Sequence, residues 1–68
     1  MKSWSSRDVM EKLKQDGWQE VGVDGSHHQF KHPTTPGRVT LPHPRKHIPT
    51  GTLRSIFRQA GWNWKDRR

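Results

Sequence analysis

The sequence predicts an α+β fold with the element order α-β-β-β-α. Three observations predict it: apolar stripes at helical spacing near both ends, period-two alternation between them, and an Asp24-Gly25 pair typical of a tight hairpin. In this order we expect a three-stranded antiparallel sheet with both helices on one face. The other face of the sheet would stay open.

The first helix is predicted over about residues 5–16. Ser5 and Asp8 have the spacing of a capping box, in which each side chain bonds the other residue's backbone amide. Gly17 suits the left-handed position after a helix, and Trp18 can fold back onto the last turn. The apolar residues at helical spacing are Val9, Met10 and Leu13.

Two strands, about 18–23 and 26–32, follow on either side of Asp24-Gly25, where both turn residues would need positive φ. Val21 and Val23 share one face of the first strand. Phe30 is the only large apolar residue of the second, so we expect it to face the core. His28 and His32 then share the face of Phe30, while the residues on the open face are His27, Gln29 and Lys31.

The third strand is predicted over residues 38–41, with Val39 and Leu41 in the core and Arg38 and Thr40 on the open face beside His27. A stiff, Pro-rich loop follows over residues 42–49. Thr50 is expected to cap the second helix, and Gly61 to end it. The amphipathic stripe of that helix is Leu53, Ile56, Phe57 and Ala60. We interpret residues 63–68 as a basic tail.

The charge is strongly asymmetric. Thirteen Lys and Arg stand against six Asp and Glu, for a net charge of +7. Residues 1–25 hold four basic and five acidic side chains, whereas residues 26–68 hold nine basic ones against Asp66 alone. This distribution favours a polyanionic partner, either nucleic acid or an acidic protein, although surplus charge also serves solubility. No stretch is typical of an interfacial membrane helix.

The 68 residues are enough for one domain with a small core, and they contain no cysteine. The sequence has neither the apolar run of a signal peptide nor 18 consecutive apolar residues. We therefore expect a cytoplasmic protein with no membrane partner. A carboxylate pair, a Gly-rich phosphate loop and a nucleophile elbow are all lacking.

All five histidines lie between residues 27 and 47, and three explanations compete. A metal site is disfavoured because adjacent His27 and His28 face opposite ways on a strand and the carboxylates lie elsewhere. We expect no metal and no cofactor. A structural role suits His28 and His32, whereas His43 and His47 are either simply exposed in their loop or contact phosphate when protonated.

The third explanation is acid–base catalysis, and it applies to His27. An imidazole titrates near neutrality, so it can exchange a proton with a ribose 2′-hydroxyl or with a leaving oxygen. His27 is expected on the open face, near Lys31 and Arg38, whose charges would stabilise a developing phosphorane. Composition alone leaves the catalytic and the structural readings of this residue both open.

Four stretches of the chain, across about residues 5–62, carry a family resemblance. They are Gly17-Trp18, Gly25-Ser26-His27-His28-Gln29-Phe30-Lys31-His32-Pro33, Val39-Thr40-Leu41-Pro42-His43-Pro44, and Gly51-Thr52-Leu53 through Ile56 to Ala60-Gly61. With these stretches the sequence resembles the HicA toxin family of type II toxin–antitoxin modules. The Gly-Ser-His-His turn and the Gly-Thr-Leu helix start are specific in combination. The chain departs from the family pattern at Trp4 and in the aromatic residues after Gly61.

The resemblance implies a double-stranded-RNA-binding-domain-like fold and metal-independent cleavage of messenger RNA. It also implies that the histidine after Gly25-Ser26, here His27, is catalytic. A HicB-type antitoxin is implied as the partner that masks this histidine, so the chain would be a monomer when free and part of a hetero-oligomer with its antitoxin. The expected RNA-phosphate contacts are Lys31, Arg38, Arg45 and Lys46.

Two other functions remain open on the sequence. One is a non-catalytic RNA-binding module of the same fold, because readers of double-stranded RNA recognise phosphates and 2′-hydroxyls without a catalytic histidine. The other is a protein-interaction domain whose basic surface serves an acidic antitoxin. Cleavage products separate the nuclease from both.

Overall fold

The computed structural model describes residues 3–67, and within that range it has the predicted order α-β-β-β-α followed by a short 3-10 helix. No helix in this part of the chain is long and apolar enough to cross a membrane. The elements are α1 (Ser6–Gln15), β1 (Gln19–Asp24), β2 (His27–Lys31), β3 (Val39–Pro42), α2 (Thr50–Ala60) and the 3-10 helix Trp64–Asp66.

The sheet is antiparallel with the order β1-β2-β3, so β2 is its central strand. Phe30 in β2 is fully buried and lies opposite Val39 of β3, which is also fully buried. Both helices contact β3 and bury their apolar stripes on this face of the sheet. The alternation read from the sequence is therefore confirmed: Phe30 marks the helix-covered face, and the opposite face is open.

The edge strand β1 departs from the regular pattern. The register shifts between Glu20 and Gly22, so that Val21 lies in a β-bulge. Val21 and Val23 are 52% and 55% exposed. Their apolar side chains are not part of the core, because the helices cover the β3 side of the sheet.

The hairpin turn is shifted by one residue from the prediction. β1 extends through Asp24, which pairs with His27, so the two-residue turn is Gly25-Ser26. Gly25 has φ 61°, and no non-glycine residue among residues 3–67 has positive φ. The expectation of a left-handed Asp24 is therefore wrong, because glycine at the first turn position supplies the only positive φ that this turn has.

Both helices end in the same way. After α1, Trp18 N donates to Leu13 O at 2.9 Å, across the left-handed Gly17. After α2, Trp62 N donates to Phe57 O at 2.8 Å, across the left-handed Gly61. These are Schellman motifs, in which the residue after the glycine folds an apolar side chain back onto the helix. Each Gly-Trp pair therefore both ends a helix and adds an indole to the core.

The two helix starts differ. The capping box of α1 is confirmed, since Asp8 N donates to Ser5 Oγ at 3.1 Å and Ser5 N to Asp8 Oδ2 at 2.9 Å. The expectation that Thr50 caps α2 is wrong, because Thr50 is the first helical residue. Pro49 occupies the cap position without a side-chain hydrogen bond, because its fixed φ and missing N–H suit the edge of a helix.

Asp16 joins the two helix ends. Its Oδ2 accepts a hydrogen bond from Trp18 Nε1 at 3.1 Å and another from Trp62 Nε1 at 2.9 Å. These hydrogen bonds, the Trp62 one foremost, outweigh partial desolvation and hold the pKa of the Asp16 carboxyl below its ordinary value, with help from the charge of Lys12.

The C-terminal residues add to the core rather than forming only a basic tail. Trp64 packs edge-on against Phe57 with ring centroids 5.2 Å apart, and the Arg67 guanidinium lies 4.4 Å from the Trp64 ring centroid. Trp4 packs against Phe57 in the same way, at 5.5 Å. Trp4 and Trp64 thus extend the small core near both ends of the chain, and Arg67 covers Trp64. Arg68 lies outside the described residues.

We expect Asp16→Asn to lower the free energy of unfolding by less than about 1 kcal/mol at neutral pH, because a neutral amide accepts the two indole bonds more weakly but solvent screens this exposed site. A carboxyl whose pKa is lowered on folding stabilises the protein above the unfolded pKa, and this stabilisation is lost as pH falls below about 4. The difference between the variant and the wild type should therefore shrink on acidification.

The measurement is urea unfolding followed by circular dichroism at pH 7 and pH 3. The control is Glu11→Gln, an exposed carboxylate on the same helix. A pH-independent difference for Asp16→Asn would contradict the role of the carboxylate charge.

Candidate functional site

His27 is the first residue of β2 and follows the Gly25-Ser26 turn directly. Its Cα partners are Asp24 on β1 and Pro42 on β3. The side chain is exposed, on the open face of the sheet, as the alternation predicts. Just behind it, Ser26 O accepts a hydrogen bond from His43 N at 2.8 Å, which fixes the turn to the end of β3. The His27 side chain is thus exposed to solvent, while the backbone just before it is held by a hydrogen bond to His43.

The open face carries a row of polar side chains along the central strand. His27, Gln29 and Lys31 alternate with the half-buried His28 and the buried Phe30. Gln29 lies opposite Thr40 of β3, and its Oε1 accepts a hydrogen bond from Arg38 Nη1 at 2.8 Å. The Arg38 guanidinium is therefore held over the middle of the strand.

Two of the predicted phosphate contacts lie farther from His27 than the sequence suggested. Lys31 is four residues along β2, about 13 Å at the usual rise of a strand. Arg38 precedes β3 at that same far end, and its guanidinium reaches only as far as Gln29. Lys31 is therefore at the other end of β2 from His27, and Arg38 reaches the middle of that strand, because an antiparallel register places the start of β3 opposite the end of β2. They can hold a chain that runs along the strand.

The other two predicted contacts, Arg45 and Lys46, lie beyond the opposite end of the sheet. Their loop follows β3 and is tied to the start of α1: Arg45 N donates to Ser6 Oγ at 2.8 Å, and Ser6 N donates to Arg45 O at 2.9 Å. Both side chains are exposed. His27 therefore lies between two groups of cations, one along β2 and one past the turn.

His43 is on the helix-covered side of the sheet, at its edge, and is half-buried rather than simply exposed. Its Nδ1 lies 2.7 Å from Ser6 Oγ, and its ring packs edge-on against His28 with centroids 5.0 Å apart. His28 Nδ1 in turn lies 3.3 Å from Glu20 Oε1. The sequence did not reveal this arrangement, because Ser6 and His43 are distant along the chain and show no shared spacing.

His32 has a structural role, as expected. Its Nε2 lies 2.8 Å from the Asp16 carbonyl, which can only accept, so Nε2 carries the proton. Its Nδ1 then accepts from Thr34 N and Thr35 N, each at 3.1 Å, and orders the loop after β2. His47 contacts Ser3 Oγ through Nδ1, away from the open face.

The four cations predicted to contact phosphate form no ion pair with a carboxylate of the described residues. Within residues 3–67 the ion pair that forms is His28 with Glu20, and no carboxylate there is at ion-pair distance from those four cations. Asp24 pairs with His27 across the hairpin and shares its face. The arrangement offers one exposed imidazole and unpaired positive charges on either side, which suits a phosphodiester chain.

The family model described as HicA toxin of bacterial toxin–antitoxin matches residues 6–62. The chain belongs to the HicA toxin family. Among solved structures, this HicA chain is similar to one in a HicA3 and HicB3 toxin–antitoxin complex, with 32% identity and a TM-score of 0.67, covering 90% of this chain and 98% of that one. No match is found among curated proteins.

Membership of the HicA family agrees with the fold. The α-β-β-β-α order with both helices on one face is the double-stranded-RNA-binding-domain-like architecture that the sequence predicts. The matched residues include the stretches that carry the resemblance, from Gly17-Trp18 through the Gly25-Ser26-His27-His28 turn to Ala60-Gly61. The resemblance read from these motifs is thereby confirmed.

We expect Gly25→Ala to lower the free energy of unfolding by about 1–2 kcal/mol, the usual cost of a left-handed backbone for an L-residue. A Cβ at this position would meet nothing within 4 Å, so the cost is conformational rather than steric. Urea unfolding measures it. Gly22→Ala is the matched control, because that site is equally open but has no positive φ. Equal stability of the two variants would contradict the assignment of the turn.

Proposed function

We propose that this HicA toxin is an endoribonuclease that cleaves messenger RNA, with His27 as an acid–base catalyst. The main support for the proposal is that His27 is exposed on the open face, in a chain of the HicA toxin family. The turn before His27 is held to the end of β3 by the hydrogen bond from His43 N to Ser26 O. The position also suits the Gly-Ser-His-His motif, in which the second histidine is half-buried and only the first is free to meet a substrate.

The chemistry needs few groups from the protein. The ribose 2′-oxygen attacks the adjacent phosphorus, a new P–O2′ bond forms, and the P–O5′ bond breaks. One proton must leave the 2′-hydroxyl and one must reach the departing 5′-oxygen. His27 can perform either transfer, because an imidazole exchanges protons near neutral pH. The reaction proceeds in this way without a metal and without a covalent enzyme intermediate.

The RNA strand would follow β2. Lys31 and Arg38 would hold phosphates along the open face, and Arg45 and Lys46 would hold phosphates past the turn. His27 lies between the two groups, so the scissile linkage would be held from both sides. Gly25 and Ser26 support the site by fixing the backbone from which His27 projects.

A HicB-type antitoxin is the proposed protein partner. The similar solved structure is a complex of a HicA3 toxin with a HicB3 antitoxin, which supports a partner of that type. An antitoxin that covers the open face would mask His27 and the neighbouring cations together. In this proposal the toxin is a monomer when free and forms a hetero-oligomer with its antitoxin.

We expect His27→Ala to lower the rate of RNA cleavage by about 10²–10⁴-fold, the usual contribution of an acid–base group. The side chain is exposed, so the variant should fold like the wild type. Cleavage of a labelled transcript by the purified protein measures the effect, and growth arrest on expression gives a second readout. His47→Ala, another exposed histidine, is the matched control.

Undiminished cleavage by folded His27→Ala would contradict the catalytic assignment. If the wild type binds RNA but gives no products, the protein is instead a non-catalytic RNA-binding module of the same fold.

We expect the antitoxin and RNA to compete for one surface. When the product of the neighbouring open reading frame is added to a complex of His27→Ala with labelled RNA, the RNA should be released in proportion to the antitoxin bound. Native gel electrophoresis separates free RNA, the complex of the toxin with RNA, and the complex of the toxin with antitoxin. A stable ternary complex would contradict masking of the open face.

A further inference from the structure

A second basic region lies outside the open face, in a hollow of about 570 Å³ between the start of α1 and the loop after β3. This volume is within the range of about 300–1,000 Å³ typical of ligand sites. The residues that line the hollow are Ser5, Ser6, Arg7, His43, Pro44, Arg45 and Lys46.

The hollow concentrates positive charge. Arg7, Arg45 and Lys46 are exposed, and within the described part of the chain no carboxylate is at ion-pair distance from them. The carboxylate in the first turn of α1, Asp8, is engaged with Ser5 N at 2.9 Å. Ser6 N donates to Arg45 O and Asp8 N donates to Ser5 Oγ, so these two amides of the first turn are not available to an anion.

The walls of the hollow are fixed by a buried hydroxyl. Ser6 is 1% exposed, although it is polar, and its Oγ joins three groups. It accepts from Arg45 N at 2.8 Å, donates to Arg45 O at 3.2 Å, and lies 2.7 Å from His43 Nδ1. The loop carrying Arg45 is thereby held against α1, and a prearranged site loses little entropy when it binds a ligand.

His43 can add a hydrogen-bond donor, its Nε2, to the positively charged side chains of the hollow. Its Nδ1 is engaged with Ser6 Oγ, and its Nε2 has no hydrogen-bond partner among residues 3–67. The single proton of the Ser6 hydroxyl goes either to Arg45 O or to Nδ1, and when it goes to Nδ1 the ring proton is on Nε2. An anion in the hollow favours this arrangement, because Nε2 can then donate to it.

We propose that this hollow binds a backbone phosphate of the RNA, next to the scissile linkage and on the side away from Lys31 and Arg38. The connection is short, because His43 N is bonded to Ser26 O, immediately before His27. A strand that passes His27 reaches the hollow by turning around the end of the sheet. The proposal rests on the proposed function and assigns Arg7 and His43 to substrate binding.

The first test is RNA binding in the His27→Ala background, where the RNA is not cleaved. The variant Arg7→Ala/Arg45→Ala/Lys46→Ala should bind a single-stranded oligonucleotide about tenfold or more weakly, the usual effect of losing a charge-assisted contact. The slope of log affinity against log salt should fall by about 1, for one lost phosphate contact. The matched control removes Lys14 and Arg58, exposed cations that do not line the hollow.

The second test uses the length of the substrate, in a protein that retains His27. A dinucleotide contains the scissile linkage alone and cannot reach the hollow, so the triple variant should lose much less activity on it than on a longer oligonucleotide. On the longer oligonucleotide the rise in KM should be larger than the fall in kcat. Equal loss on both substrates would overturn the proposal, since it would indicate a general effect on the fold or on His27.

The contribution of His43 is tested by two substitutions. His43→Asn retains an acceptor near the position of Nδ1 and lacks Nε2, so it should weaken RNA binding without loss of thermal stability. His43→Gln, which retains a donor near the position of Nε2, should bind RNA better than His43→Asn. The opposite order would overturn the assignment of His43.

The outcomes separate this proposal from the proposed function. If the wild type neither binds nor cleaves RNA, both are wrong. If it does, and the triple variant behaves like the control, the hollow is not a phosphate site. If the triple variant loses affinity for the antitoxin but not for RNA, the hollow serves the protein partner and the phosphate proposal is overturned.

Discussion

Burial of Phe30 in the central strand decides which face of the sheet carries His27. Phe30 lies opposite Val39, and both side chains are fully buried under the helices. Burying such a side chain stabilises the fold by about 1.5–3 kcal/mol, and a register slip of one residue would place it in solvent. The same slip would turn His27 toward the helices. One apolar side chain therefore fixes the orientation of the proposed catalyst.

The helices that cover Phe30 are held together at their ends as well as along their stripes. Each ends in a Gly-Trp pair, and both indoles donate to the Asp16 carboxylate. Trp62 also packs on Phe57, at a centroid distance of 5.2 Å, and so continues the apolar stripe of α2 past its end. A small domain gains by this arrangement, because few residues are left to form a core.

Local patterns in the sequence predicted most of the fold. Capping at Ser5 and Asp8, the glycines after both helices, and the alternation around Phe30 all act within a few residues, so they can be read from the chain. The turn position was missed by one residue because Asp24-Gly25 and Gly25-Ser26 both place a glycine in the hairpin. The bulge at Val21 has no local signature, since valine also suits a regular strand.

The site was predicted less completely, because it depends on contacts between distant residues. His27 follows from alternation and from the family motif. The separation of Lys31 and Arg38 from His27 follows from the register of β3, which the spacing alone did not show. The hollow depends on Ser6 bonding a loop 39 residues away, at Arg45. No pattern in the sequence connects those two positions.

The placement of the four tryptophans has a spectroscopic consequence. Trp4, Trp18, Trp62 and Trp64 all belong to the core or pack against it, and the chain contains no tyrosine. Near-ultraviolet emission therefore comes from indoles that sense the packing of the helices, while the open face around His27 carries no intrinsic fluorophore. Emission will follow unfolding of the domain, and an optical signal for events at His27 requires a label on the ligand.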